Sequence, residues 1–247
     1  MSDKAIDHEL EEFYLTFKQS MINFYLRHSF MEAMSHLRRV HLNLPDGPNT
    51  MEQRRLHNSQ WGYYCPVETP DGASIGTHKH LCQTCTISVE YDSEKLINWI
   101  KDDDLFTIGF KTNNVLQDYS HMIFVNGDLI GNHSNPKKFV ENFKKKRMDL
   151  NDKHIHWSFS ISWIIRDSEI RILTTSGRMM RPLKLRKTKN LKNIELLGCE
   201  PEKLVEKGCE YIDPSEADTI LIGYEEELKA SHYEIVKTAS LGLTALT

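Results

Sequence analysis

The segment Leu44-Pro45-Asp46-Gly47-Pro48-Asn49 constrains this chain more than any other. Each proline lacks a backbone donor and clashes with the preceding turn, so no helix can run through it. Pro, Asp, Gly and Asn in succession demand a turn. The apolar spacing of Phe30 to Arg39 upstream reads as a short helix that has to stop before this point. Residues 44–55 are therefore expected to form a loop with basic stems: His36, Arg38 and Arg39 on one side, Arg54, Arg55 and His57 on the other. A second punctuated stretch follows, Cys65-Pro66-Val67-Glu68-Thr69-Pro70-Asp71-Gly72, again with a Pro-Asp-Gly turn signature.

Around these two stretches the hydrophobic pattern alternates between helix and strand periods. Leu10, Phe13, Tyr14, Phe17, Met21, Phe24 and Tyr25 recur at three- and four-residue steps, which predicts a helix over about residues 8–28 with an aromatic face packed into a core. Thr84 to Tyr91 reads as a strand and Ser93 to Trp99 as a short amphipathic helix. Met122 to Val125 and Leu129-Ile130 flank Asn126-Gly127, the strongest short hairpin signal. Pro136 opens a helix with Phe139, Val140 and Phe143 on one side. Its closing run, Lys144-Lys145-Lys146-Arg147, complements the helix dipole and reads as a solvated face. A second hairpin is expected from Ser158–Ile165 and Ile170–Thr175, turning at Arg166-Asp167-Ser168, then an exposed connection over 186–193. Strands are expected at Thr219–Tyr224 and Tyr233–Val236, and the small and apolar C-terminal residues suggest a chain cut inside a larger fold. The fold class is α+β: helices and a loop over 1–91, then a mixed α/β region with antiparallel hairpins over 92–247.

The chemistry is defined as much by what is missing. The formal net charge is −4, so no bulk positive field holds nucleic acid and any such contact needs a local basic patch. No run of about 18 apolar residues suggests a membrane-crossing helix, and the five cysteines, with no framework spacing, read as reduced intracellular thiols. The sequence has no Gly-Lys-Ser/Thr phosphate loop, no Gly-x-Ser-x-Gly elbow and no His-Glu-x-x-His pair. Asp102-Asp103-Asp104 and Glu225-Glu226-Glu227 are runs of consecutive acids, which splay apart instead of converging on one metal. Cys82-Gln83-Thr84-Cys85 has the spacing of half a zinc site. Its possible partners, Cys65, His78 and His80, do not complete a standard second pair, so buried thiols are the favoured reading and no metal ligand is assigned. What remains is the pair of basic stems. Arginines around a glycine-containing loop suit a surface that contacts phosphates without reading bases.

The wording of this region carries a resemblance. Ser35-His36-Leu37-Arg38-Arg39 is followed, beyond the loop, by Arg54-Arg55-Leu56-His57-Asn58-Ser59-Gln60-Trp61-Gly62-Tyr63-Tyr64-Cys65-Pro66-Val67-Glu68-Thr69-Pro70-Asp71-Gly72. Together they resemble the fork region of the second-largest subunit of multisubunit DNA-directed RNA polymerases, in its eukaryotic, archaeal or viral form. Phe124-Val125-Asn126-Gly127, Gly131-Asn132-His133, Asn135-Pro136, Arg178 to Leu183 and Glu210-Tyr211-Ile212-Asp213 resemble the external domain that follows the fork, in the same order.

That resemblance implies a fork region over 1–91 and an external domain over 92–247. Arg38, Arg39, Arg54, Arg55 and His57 would face nucleic acid near the active centre. Glu68 and Asp71 would support the nucleotide-addition site from behind, although the family's usual Pro-Glu-Gly is Pro70-Asp71-Gly72 here, one methylene shorter. The catalytic Mg2+ would be held by the largest subunit, so this chain would carry no catalytic residue and be inactive alone. The implied partners are the largest subunit, the rest of the second-largest subunit, template DNA and the RNA–DNA hybrid, with no membrane. The location would be intracellular: the nucleus or, for a virus, host cytoplasm or virion. The alternative is a stand-alone interaction module derived from such a subunit and no longer part of a polymerase.

Overall fold

A computed structural model describes residues 25–41, 55, 57–70, 75–108, 120–185 and 200–223, together with the backbone of 233–235. The aromatic segment upstream of Tyr25, the loop over 44–54 with Arg54, Asp71, the connection over 186–193 and Glu225 to Glu227 lie outside the described residues.

The best-packed unit is a five-stranded sheet with two helices. Its strands are β4 (Phe106–Ile108), β5 (His121–Val125), β6 (Asp128–His133), β7 (Ser160–Ile164) and β8 (Glu169–Leu173), in the order β4-β6-β5-β8-β7. All neighbours are antiparallel except β5 and β8, which run parallel. Both expected hairpins form. Asn126 and Gly127 have φ of 52° and 96°, the positive pair that a tight turn matching strand twist requires. Helices α2 (Glu94–Lys101) and α3 (Pro136–Arg147) lay Leu96, Ile100, Phe139 and Phe143 onto Ile123, Val125, Ile161, Ile170 and Ile172. Asn135 caps α3, its side-chain oxygen accepting from the Lys138 N–H at 3.1 Å, and Pro136 fills the first turn, where no donor is needed.

A second sheet is built on β9 (Met179–Leu185), which pairs antiparallel with β10 (Cys209–Ile212) and β12 (Tyr233–Ile235); β12 pairs parallel with β11 (Ile222–Gly223). Short helices α4 (Pro201–Glu206) and α5 (Pro214–Ala217) flank β10. The segments Arg178–Leu183 and Glu210–Asp213, distant in sequence, are thus neighbouring strands, with Arg181 opposite Ile212 and Leu183 opposite Glu210.

The N-terminal region contributes α1 (Phe30–Leu37), β1 (Arg39–His41), β2 (His78–His80) and β3 (Thr86–Ile87). Strand β3 pairs with Met179 and Met180 of β9, tying this region to the second sheet. The Tyr63 hydroxyl adds to the tie by donating to the Ile212 carbonyl at 2.9 Å.

Several sequence expectations are corrected. The helix expected to Arg39 ends at Leu37, because Val40, β-branched, continues into a strand paired with β2 and the Arg38 carbonyl accepts from Leu81 N–H. The strand expected from Thr84 starts at Thr86 and is only two residues long, because the Cys85 N–H closes a turn onto the Cys82 carbonyl. Thr219 likewise belongs to a turn, its N–H bonded to the Glu216 carbonyl, and β11 begins at Ile222. The basic run ending α3 is only partly solvated. Lys144 pairs with Glu216, Lys146 with Asp152, and Arg147 is 2% exposed.

Candidate nucleic-acid interface

Strands β1 and β2 form an antiparallel ribbon with Arg39 opposite His80, Val40 opposite Lys79 and His41 opposite His78. Side chains two residues apart on a strand share a face, and so do directly opposed residues. One face therefore carries Arg39, His41, His78 and His80, and the other Val40 and Lys79. Helix α1 brings His36 to the first face. A surface cavity of about 460 Å³ opens there, lined by Tyr25, Leu26, His36, Leu37, Arg39, His41 and His78.

Ser29 caps α1 through its hydroxyl, which accepts from the Glu32 N–H at 3.1 Å. The His36 ring stacks on Tyr25 with centroids 5.7 Å apart and accepts from the Leu26 N–H at 3.1 Å. His41 and His78 hold each other, Nδ1 to Nε2, at 2.9 Å. Arg39 is half-buried, and its Nε has no hydrogen-bond partner. A guanidinium set beside three imidazoles in a concave surface offers the kind of donors that an anion takes.

The other described residues expected to make contacts, Arg38, Arg55 and His57, do not line this cavity. Arg38, next to Arg39 in sequence, turns inward and donates to the carbonyls of Cys82 and Cys85, bracing the turn between β2 and β3. Arg55 and His57 are exposed; the His57 Nδ1 accepts from the Ser59 N–H at 3.2 Å and so caps the short turn Asn58–Gln60.

Glu68 reaches back toward α1. One of its oxygens accepts from the Ser35 hydroxyl at 3.2 Å and lies 3.0 Å from His80 Nδ1. Burial, working against the attraction of Glu68 and assisted by Arg39, holds the His80 imidazole below its ordinary range. At neutral pH the Glu68–His80 contact is therefore a hydrogen bond from a neutral ring and not a full ion pair. It locks α1 to β2 and fixes the ribbon's orientation.

The four described cysteines, Cys65, Cys82, Cys85 and Cys209, are buried and free. Burial pushes the Cys85 thiol up to about 12, and Cys82 higher, which opposes the thiolate state that a metal ligand needs. Among the described residues, no group of three or more His, Cys, Asp or Glu is placed to hold a metal ion, so a magnesium ion has no fitting donor set in them. Asp103, within the acidic run, accepts from the Leu105 N–H and approaches the buried His133 ring at 3.5 Å, while Asp102 and Asp104 are exposed.

Sequence reasoning weighed His78 and His80 only as possible partners of the Cys82–Cys85 pair and did not single out His41. The available signal was the alternation of basic or imidazole residues, Arg39-Val40-His41 and His78-Lys79-His80. Each is a half-ribbon whose meaning appears only once the two are paired.

Residues 23–87 match the family described as RNA polymerase Rpb2, domain 3, and residues 123–186 match RNA polymerase Rpb2, domain 4. The chain is 30% identical over 243 residues to DNA-directed RNA polymerase II subunit RPB2 of Encephalitozoon cuniculi, covering 90% of this chain and 21% of that protein. It is 30% identical to the Schizosaccharomyces pombe subunit of the same name, over 83% of this chain and 19% of that protein. It is 27% identical to DNA-directed RNA polymerase subunit Rpo2 of Sulfolobus acidocaldarius, over 89% and 21%. The class is thus a subunit of a multisubunit transcription enzyme. The chain belongs to the family of the second-largest subunit of DNA-directed RNA polymerase, and spans about a fifth of the length of the curated relatives it matches.

Proposed function

We propose that this chain works inside an assembled DNA-directed RNA polymerase, where it lines the active-centre cleft and contacts template DNA and the RNA–DNA hybrid through a local basic surface. The observation that carries this reading is the one-sided ribbon. Arg39 is held half-buried beside His36, His41 and His78, and Arg55 and His57, which follow the Pro/Gly-rich segment in the sequence, are exposed. Phosphate contacts of this kind fix the register of a nucleic acid without reading its bases. They do so here on a chain whose overall charge is −4.

The partners in this reading are the largest subunit, which holds the catalytic Mg2+, and the remaining domains of the second-largest subunit. Glu68 contributes by fixing α1 to the ribbon, and Asp71 is assigned the same supporting side of the site. Nucleotidyl transfer belongs to the assembly; electrostatics and positioning are this chain's share of it. The polymerase II names of the relatives support a nuclear location for a cellular protein, with host cytoplasm or virion the counterpart for a viral one.

The alternative, an interaction module without polymerase function, draws on one observation. Phe30, Met34 and Leu37 form an exposed apolar stripe on α1, and Phe30 is 78% exposed. Affinity purification from the native source, with mass spectrometry of what accompanies the chain, separates the two readings. Recovery of a largest polymerase subunit supports the polymerase reading. Recovery of other proteins without polymerase subunits replaces it with the module.

A further inference from the structure

The His41–His78 pair shares one face of the ribbon with Arg39, and its geometry fixes its proton inventory. Two ring nitrogens 2.9 Å apart, Nδ1 of His41 and Nε2 of His78, need one proton between them: one ring donates and the other accepts. The other His78 nitrogen, Nδ1, lies 3.2 Å from the Thr77 hydroxyl. Protonating both rings would place two N–H groups, and two positive charges, against each other beside a guanidinium.

The surrounding charges act in one direction. From β1 comes Arg39; from β2, His80, whose ring is turned to Ser35 and Glu68; from α1, His36; and from the segment before α1, Tyr25 with Arg27 stacked over its ring. Lys79 belongs to the opposite face, where it donates to the Gln60 side chain. Of the carboxylates on these elements, Glu68 is engaged by His80 and Ser35, and Glu32, one turn before His36 on α1, accepts from the His28 N–H at 3.0 Å. Burial, followed by His41, Arg39, His80 and His36, holds the His78 imidazole below its ordinary range. Burial and the neighbouring cations thus both disfavour a proton on His78 in the free cavity. An entering anion offsets the cations' share.

We propose that the cavity formed by His36, Arg39, His41 and His78 is a proton-gated seat for a backbone phosphodiester, in which the anion binds together with one proton taken up by the His41–His78 pair. This deepens the nucleic-acid reading above and rests on it for the identity of the ligand. The balance is simple. Before binding the pair holds one shared N–H and no net charge. After binding it holds one more proton and a single positive charge, and each ring can direct a donor away from the other and toward the phosphate oxygens. Arg39, which lines the cavity, supplies the permanent charge. Because binding raises the proton affinity of the pair, affinity strengthens as pH falls through the ordinary histidine range, near 6.5, and weakens above it. The device concerns grip on a strand and not the chemical step. It would make a strand's hold on this part of the surface depend on pH, while Arg55 supplies a contact outside the cavity.

The test uses the full chain and a phosphodiester that does not itself titrate near neutrality. Imidazole NMR follows the titration midpoints of His41 and His78 with and without diethyl phosphate. Both midpoints are expected to rise in its presence, and not to rise in the Arg39→Ala variant. Anisotropy with a short single-stranded DNA oligonucleotide at constant ionic strength then gives the functional counterpart. The wild-type chain is expected to bind about threefold to sixfold more tightly near pH 6 than near pH 8, the ratio that a one-unit rise of a midpoint starting at or below 6.5 produces. In the His41→Gln/His78→Gln variant that ratio should fall to about twofold or less. Should the double variant not fold, His41→Gln alone, on the exposed end of the ribbon, repeats the comparison. Midpoints unmoved by diethyl phosphate, or the same pH ratio in variant and wild type, would overturn the proposal. The midpoints report the cavity itself, so their shift without co-purification of a polymerase keeps the seat and removes the polymerase reading. Co-purification with unmoved midpoints does the reverse.

Discussion

Arg147 and Glu216 meet at 2.7 Å across 69 residues of sequence, and neither is more than 2% exposed. The guanidinium also reaches Glu210 at 2.6 Å and the Phe159 carbonyl at 3.1 Å, while Lys144 approaches Glu216 at 3.4 Å. The end of α3 on the first sheet is thereby bonded to β10 and α5 of the second. A buried guanidinium is tolerable only when its donors are met, and removing one partner strands the others in a poorly solvating interior. Arg147→Met, close in length but uncharged, is expected to destabilise the chain by about 3–5 kcal/mol. The midpoint of urea unfolding reads this directly, and a change below about 1 kcal/mol would show that the network is dispensable.

The same network sets an acid limit. Burial opposes ionisation of Glu216, but Arg147, Lys144 and the Ile161 N–H outweigh it and hold the carboxyl below its ordinary value of 4.5. A carboxyl depressed in the folded state contributes stability that is present above the unfolded pKa and is lost as pH falls through the folded one. Thermal stability should therefore fall steeply below about pH 4.5, and the Glu216→Gln variant should lose much of that slope. A variant as steep as the wild type would place the acid limit elsewhere.

A milder acid sensitivity belongs to His156. Burial, only partly offset by Glu202, lowers its imidazole from 6.5 to about 4, and the ring stacks on Tyr91 with centroids 3.6 Å apart. The unfolded chain takes up a proton that the folded one refuses. Stability is therefore complete above about pH 6.5 and declines toward pH 4. His156→Phe, which keeps an aromatic ring on Tyr91, should flatten melting temperature across that window while leaving the steeper fall below it.

The hairpins, α2 and α3 could be read from sequence because their signals are local: Asn126-Gly127, Pro136, and apolar residues at helical spacing. Arg147 could not. At the end of a lysine run it looks solvated, and its two carboxylates lie 63 and 69 residues downstream on elements, β10 and α5, too short to show a period. The candidate interface divides in the same way. Arg38 and Arg39 are equivalent as letters, yet one braces two carbonyls and the other lines a cavity, because a strand starting at Arg39 sends neighbouring side chains to different sides. The pairing of His41 with His78 needs the ribbon's register, which no local pattern supplies.

Gly131 illustrates a demand set by close approach. A Cβ there would lie 2.5 Å from Phe106 Cζ and 2.5 Å from the Thr107 carbonyl oxygen on the neighbouring β4. Backbone oxygen cannot step aside as a flexible side-chain tip can. Gly131→Ala is expected to cost about 1–3 kcal/mol by forcing β4 from the sheet. Amide exchange should show faster exchange for Phe106 to Ile108 than for the centre of β5. Uniform protection across the sheet would mean that β4 accommodates the methyl.

The two adjacent arginines give the sharpest separation between architecture and binding. Arg38→Ala removes the donors that brace the carbonyls of Cys82 and Cys85, so its main effect should be lower stability, by about 1–3 kcal/mol. Arg39→Ala and Arg55→Ala alter residues outside that brace and should leave unfolding within about 0.5 kcal/mol of wild type. Their effect should appear in nucleic-acid affinity. Each lost phosphate contact lowers the slope of log affinity against log salt by about 0.7–0.9, so the loss is larger at low salt than at high. Oligonucleotide binding across a salt series, measured beside urea unfolding for all three variants, tests both halves. If Arg39→Ala unfolded the chain and kept the full salt slope, the ribbon would be scaffold and the binding surface would have to lie elsewhere.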